Sequence, residues 1–237
     1  MNHPIPAVVM ALAALALPAA AQTPLAEAGT TVTLVRVAKP WYAPRALVAG
    51  KMRETIAEYD KLPGLVYKVY TIAQEDGRYG GLYLWRDRAS AEQWFNPAWF
   101  ARVEKERGVA GEVRTFAAAR VADYTPGGTR AAPKSDAVAT VLLLPTAAAA
   151  DAGRRSETLR GTLPARPDGL LREYWIAGAG SAGLALLWRD EASARAALDG
   201  AWSGRAATAV GTAPVAEWYD APVLTPSVLP ANRLQAN

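Results

Sequence analysis

Hydrophobic and polar residues alternate along Thr31–Val37 (TVTLVRV), the period-two pattern of a β-strand. After Pro44 the period lengthens. Val48, Met52, Ile56 and Tyr59 recur at spacings of 4, 4 and 3, which predicts one helix carrying all of them on a single face. Pro63-Gly64 ends that helix, and Leu65–Ile72 returns to strand pattern. A polar turn, Gln74–Gly80, leads into a third strand, Gly81–Trp85. Asp87 or Ser90 caps a second helix, with Ser90 and Gln93 spaced as a capping box. Its inward face would hold Ala91, Phe95, Ala98 and Val103, with an interruption at Asn96-Pro97. Gly108 closes it, and Val113–Val121 reads as a fourth strand. The order is β-α-β-β-α-β, the ferredoxin-like unit.

The pattern then recurs. Residues 80–91 (GGLYLWRDRASA) and 183–194 (GLALLWRDEASA) are identical at eight of 12 positions, at an offset of 103. The same offset pairs Ala98-Trp99 with Ala201-Trp202, Arg102 with Arg205 and Gly108 with Gly211. Gly64-Leu65 matches Gly169-Leu170. Val113, Phe116 and Val121 align with Val215, Trp218 and Val223 if one residue is deleted. The second copy would run through strand Ala137–Leu144, a helix around Asp151–Leu163, strands Leu170–Ala177 and Leu184–Trp188, a helix from Ser193, and strand Ala216–Val223. The predicted class is therefore α+β: two tandem ferredoxin-like repeats, 31–124 and 137–224, joined by a Pro/Gly/Ala-rich linker, 125–136, and followed by a tail, 225–237. Each unit leaves one sheet face bare, so the two are expected to dock sheet to sheet as an intramolecular pseudo-dimeric α/β barrel. In the third strand, Tyr83 and Trp85 share one face and Leu82 and Leu84 the other. The larger aromatics suit an inter-sheet cavity, and the aliphatics suit the helices.

Composition narrows the chemistry. The 237 residues contain no cysteine and one histidine, His3, in a segment expected to be removed, so disulfides, thiol nucleophiles and a Ser-His-Asp triad are not expected, nor are Cys or His ligands for a metal. The formal charge of +4 comes from scattered arginines without a basic stripe, which argues against a nucleic-acid partner. Ala7–Leu17 is an apolar run too short to span a bilayer, followed by Ala19-Ala20-Ala21. It reads as a signal peptide, 1–21, with a polar leader, 22–30, and predicts a periplasmic or secreted protein with no later transmembrane segment. The GxGxxG spacing of Gly178–Gly183 leads into a strand rather than a helix, so it reads as a hairpin turn and not a phosphate cradle.

The runs GLVYKVYT (Gly64–Thr71) and GRYGGLYLWRDRASAEQWF (Gly77–Phe95) resemble the dimeric α/β-barrel superfamily, nearest to the YdhR-like and antibiotic-biosynthesis monooxygenases. The resemblance covers 31–124 and, more weakly, the second copy. It implies oxidation of a small aromatic, enolisable or quinone-like molecule by O2 without metal or flavin, in a monomer whose fused halves replace a homodimer. It matches Trp85 to a third-strand Trp in the cavity of related oxygenases, and Lys68 to a second-strand Lys of the YdhR-like pattern. The His often present in that family's second helix is missing, its neighbourhood here being Asn96-Pro97-Ala98-Trp99, and the second copy replaces Lys68 by Glu173 and Tyr83 by Leu186. Such a reaction needs a base and stabilisation of an anion in a dry site. Lys68, Tyr83 and Arg86 are the catalytic candidates, and Tyr70, Trp85 and Trp188 the substrate-binding candidates. Lys68 and Tyr70 share a strand face that Tyr67 does not. Against each stands a structural role: tryptophans packed in an interface, arginines paired at helix starts, Trp94, Trp99 and Trp202 as core. The alternative to an enzyme is a periplasmic ligand-binding or protein-interaction module of the same fold.

Overall fold

The computed structural model describes residues 29–40, 42–125, 135–146, 149–178 and 180–225. The expected signal peptide, and most of the expected leader, linker and tail, lie outside them. In chain order the elements are β1 (Thr31–Val37), α1 (Arg45–Glu54), α2 (Ile56–Tyr59), β2 (Leu65–Ala73), β3 (Tyr79–Trp85), α3 (Arg88–Trp94), α4 (Pro97–Arg107), β4 (Glu112–Asp123), β5 (Ala137–Pro145), α5 (Ala149–Gly161), β6 (Leu170–Gly178), β7 (Ser181–Trp188), α6 (Glu191–Ala197), α7 (Gly200–Val210) and β8 (Val215–Leu224). All strands join one closed antiparallel barrel in the order β1-β3-β2-β8-β5-β7-β6-β4. Each repeat supplies four neighbouring strands, and the seams between repeats are β2–β8 and β4–β6. Closure leaves no sheet edge exposed. The Gly178–Gly183 stretch does turn β6 back into β7.

Local chemistry explains the helix boundaries. The Asp87 carboxylate accepts from the Ser90 amide at 2.7 Å, and Asp190 repeats this with Ser193 at 2.7 Å. Asp87 is thus the cap, Ser90 lies inside α3, and no Ser90–Gln93 capping box forms. Pro97 splits the second helix as expected, and the new start is capped by Asn96, whose Oδ1 accepts from Trp99 N at 3.0 Å. The first helix is not continuous: it breaks at Thr55 into α1 and the four-residue α2. In the second repeat the matching helix, α5, runs unbroken for 13 residues. Gly80 and Gly183 are glycines because β3 and β7 press against β1 and β5: an added Cβ would lie 2.1 Å from Val35 O and 1.8 Å from Leu142 O.

Strand registers correct the sequence alignment. Thr31 faces Ala117 and Trp85, while Val138 faces Asp220 and Trp188, so Ala117 corresponds to Asp220 at the unbroken offset of 103. No residue is deleted. Phe116 corresponds to Tyr219 and Val121 to Leu224, and all four point inward.

The barrel interior holds one apolar cluster drawn from all eight strands, including Val32, Leu34, Tyr67, Val69, Leu82, Leu84, Phe116, Tyr174, Leu187 and Tyr219. This reverses the expected faces of β3. Leu82 and Leu84 point into the barrel, whereas Tyr83 and Trp85 lie beneath the helices with Phe95, Trp99 and Val103. Trp188 likewise packs under α5–α7 with Leu159, Leu163 and Trp202. The reason is girth. Side chains from eight converging strands compete for the narrow interior, which takes alanines at 118, 137, 139, 185 and 221, while the helix layer has room for bulky rings.

Two charged contacts cross the interior. Arg114 of β4 donates to both oxygens of Glu217 on β8, with Nη1 2.8 Å from Oε1, and the Tyr219 hydroxyl donates to Oε2 at 2.6 Å. β4 and β8 stand four strands apart around the ring in either direction, so this pair spans it. Arg172 of β6, fully buried, bridges to Asp123 and lays its guanidinium 3.8 Å from the centre of the Tyr67 ring on β2, again the opposite strand. Position 114 is equivalent to 217, and 67 to 172. Each contact therefore joins a residue to its own counterpart across the pseudo-twofold axis.

Candidate functional site

Period-two alternation in β2 sends Tyr67 and Val69 into the barrel and Lys68 and Tyr70 outward beneath α1 and α2. Lys68 is directly opposite Tyr83 in the β2–β3 register. Its side chain is 3% exposed, and Nζ lies over three rings: 2.9 Å from the centre of Tyr59, 3.8 Å from Tyr70 and 4.7 Å from Tyr83. Burial drives the amine well below the ordinary lysine range, and the charge of Glu58 on α2 opposes that only in part. The electron-rich ring faces are the surroundings in which a desolvated ammonium is least penalised, so the amine can exchange a proton without leaving its cage.

The cage continues into an aromatic layer. Tyr83 stacks on Trp85 with centroids 5.9 Å apart and planes within 10°, and Phe95 meets both edge-on at 5.5 and 5.8 Å. Trp85 Nε1 donates to Thr33 Oγ1 at 2.9 Å, which fixes the indole plane. Tyr59 touches Tyr70, Tyr83 and Trp94 at 5.8–5.9 Å. The Trp94 indole N–H is buried and has no hydrogen-bond partner among the described residues. The Tyr70 hydroxyl is 2.8 Å from Thr55 Oγ1, at the break between α1 and α2. Burial raises the Tyr83 phenol well above its usual range, reinforced by Tyr59 and Tyr70 nearby, and burial also raises Tyr70. Both remain proton donors at neutral pH. The layer thus combines a base, neutral phenol donors and flat apolar walls, the parts needed to ionise an acidic aromatic and hold the anion.

The second repeat lacks this equipment at the same positions. Leu186 replaces Tyr83, Leu198 replaces Phe95 and Ala197 replaces Trp94. Glu173, in place of Lys68, is 1% exposed and accepts from Arg160 Nε at 2.5 Å and from Trp175 Nε1 at 3.1 Å. Arg160 also donates to the carbonyls of Pro164 and Ala165. The charge is neutralised on the spot, and the pair ties α5 to the loop that follows it.

Four of the six candidates, Lys68, Tyr70, Tyr83 and Trp85, therefore meet in one place, on the helix side of the first repeat rather than between the sheets. Arg86 does not join them. Its side chain is 68% exposed and pairs with Asp87 at 3.1 Å, as Arg189 pairs with Asp190 at 2.9 Å. Trp188 lies in the other repeat, its Nε1 donating to Thr140 Oγ1 at 3.0 Å. Tyr59, Phe95 and Trp94 complete the layer and were not anticipated as site residues. Comparing the repeats position by position exposes Phe95 and Trp94, since Leu198 and Ala197 stand in their places in the other copy. No group of three or more His, Cys, Asp or Glu that could hold a metal occurs among the described residues. No helix among them is long and apolar enough to cross a membrane.

Two β-α-β-β-α-β units closed into one antiparallel eight-stranded barrel, with helices roofing an aromatic layer, define an α+β barrel fold with both halves in a single chain. Residues 37–121 match the family described as "Putative mono-oxygenase ydhR". Three solved structures share the fold. A "putative monooxygenase" from Fusobacterium nucleatum is 10% identical, with a TM-score of 0.59 over 85% of this chain and 95% of that one. An "anthrone oxidase-like protein" is 13% identical, with a TM-score of 0.56 over 91% and 99%. A "putative monooxygenase" from Lactobacillus acidophilus is 11% identical, with a TM-score of 0.52 over 84% and 95%. No curated protein matches the sequence.

Proposed function

We propose that the chain is an exported, cofactor-independent monooxygenase that uses the aromatic layer around Lys68 to oxidise a small aromatic with an acidic, enolisable position. The observation that carries this reading is the buried amine ringed by three tyrosines in the repeat that matches the family. The neutral Lys68 amine takes a proton from a ring CH2 flanked by a carbonyl, and the Tyr83 hydroxyl donates to the resulting enolate oxygen. The carbanion reduces O2 and combines with it, giving a hydroperoxide. Loss of water from that species leaves a quinone carbonyl. Overall, CH2 and O2 become C=O and H2O, with O2 as the oxidant. Trp85, Phe95 and Tyr70 exclude water while the anion exists. Export rests on the apolar run Ala7–Leu17 and the small residues after it.

The test is oxygen consumption in metal-free buffer with anthrones and naphthoquinols, the first suggested by the description of one structural neighbour. Wild-type protein should consume O2 and release the quinone, and Lys68→Met should lose at least about 100-fold in rate, the usual weight of a general base, while staying folded. Tight aromatic binding without oxygen uptake would replace the enzyme by the ligand-binding module. An unaffected Lys68→Met variant would remove the base assignment.

A further inference from the structure

Tyr59 differs from the other rings of the layer in what carries it. α2 is four residues long and has no fully buried side chain. It is bounded by the break at Thr55 and by Pro63-Gly64, where Gly64 has φ +77°. The other rings sit on barrel strands or on the capped helices α3 and α4. Yet the Tyr59 ring has the most central place: it covers Lys68 Nζ, meets Tyr70, Tyr83 and Trp94, and bridges the apolar clusters under α1 and α4. Burial raises the Tyr59 phenol above its usual range, and the neighbouring Tyr83 opposes that only in part. Beside it the Trp94 N–H lies buried without an acceptor among the described residues, a donor that an incoming oxygen would satisfy.

The geometry points to the Tyr59 ring as the chain's own stand-in for substrate: when α2 swings out, a hydroxyaromatic ring takes its place, face on Lys68 and oxygen toward Tyr83 and Trp94. This rests on the monooxygenase reading and deepens it, because it assigns a phenol or enol, one ring wide at the reacting end, as the substrate class and Tyr59 as the specificity residue. A cation or a saturated ring would not replace the contacts Tyr59 makes.

The experiment replaces the ring by its own side-chain analogue. Tyr59→Ala is titrated with p-cresol, and with toluene as the hydroxyl-free control, under nitrogen, following thermal unfolding and tryptophan fluorescence. p-Cresol should raise the melting temperature of Tyr59→Ala by roughly 5 °C at saturation, bind at least tenfold more tightly than toluene, and shift wild-type protein much less. Tyr59→Leu, which keeps apolar bulk without ring or hydroxyl, is read in the same way should the alanine variant unfold. Equal binding of p-cresol by wild type and variant, or equal binding of p-cresol and toluene, overturns the stand-in. Because oxygen is absent, these results do not depend on turnover. p-Cresol rescue without oxygen uptake in the substrate panel removes the reaction and keeps the ligand class, whereas uptake without rescue does the reverse.

Discussion

The Arg114–Glu217 pair permits a quantitative test of how the repeats recognise each other. The two side chains are 22% and 21% exposed and bond through both carboxylate oxygens. Exposed pairs contribute about 0–1 kcal/mol, and breaking a fully buried pair by removing one partner costs about 3–5 kcal/mol, so removing one partner here should cost about 2 kcal/mol. For a fold of this size that is a fall of roughly 5 °C in melting temperature. Arg114→Met leaves the carboxylate with Tyr219 as donor, and Glu217→Gln leaves the guanidinium with Glu112, 3.4 Å from its Nε, and with Tyr219 as an acceptor. The double variant removes both charges together, so it should be no worse than the poorer single, giving a coupling of at least about 2 kcal/mol in a double-mutant cycle. Burial would raise the Glu217 carboxyl, but hydrogen bonds from Arg114 and Tyr219 and the charge of Arg114 outweigh it and hold it below the usual range. Its stabilisation is therefore present above about pH 4.3, the ordinary unfolded value, and disappears as pH falls through the lower folded value. Glu217→Gln should flatten that acid limb. Urea denaturation with circular dichroism at several pH values reads both effects. Costs that add to within about 0.5 kcal/mol, with an unchanged acid limb, would refute a lock across the barrel.

Three further outcomes follow from single side chains. Lys68 is neutral in the fold and charged when unfolded at any pH between its lowered folded value and about 10.4, so stability should climb with pH through that window. Lys68→Met should abolish the climb and melt no lower than wild type; a lower melting point would mean the amine stabilises the fold. Trp85→Phe leaves the fully buried Thr33 hydroxyl without its partner, and Trp188→Phe does the same to Thr140. Each should cost about 1–3 kcal/mol in denaturant titrations, but only the first should reduce oxygen uptake. Gly64→Ala adds a Cβ 2.2 Å from Ser90 Oγ at φ +77°, so it should destabilise by more than about 1 kcal/mol, whereas Gly161→Ala, which meets nothing, should not.

The repeat was legible because it rests on what sequence records directly: glycines where backbones touch, aspartates where helices begin, a fixed offset. Which face of β3 points inward was not. In a barrel roofed by helices both faces of a strand are buried, so Leu82 and Tyr83 carry no polar contrast to separate inside from outside. The largest side chains carry a partial signal, since Trp85 and Trp188 lie on the outer face while alanines collect on the inner one. The aligned deletion in β4 concealed the second clue, for only the true offset puts Arg114 opposite Glu217. Among the candidates, Lys68, Tyr70 and Tyr83 do converge, although beneath the helices and not between the sheets where Tyr83 was expected. Arg86 failed because an arginine beside a helix-capping aspartate already has a partner. Tyr59 was hidden by a helix that the spacing made continuous and the structure breaks.

The exchange of Lys68 for Glu173 and of Tyr83 for Leu186 between the copies has a corollary. On the proposed reading only the first half is reactive, so titration with an aromatic ligand should end at one equivalent per chain, and a second equivalent would place a site in the other half as well.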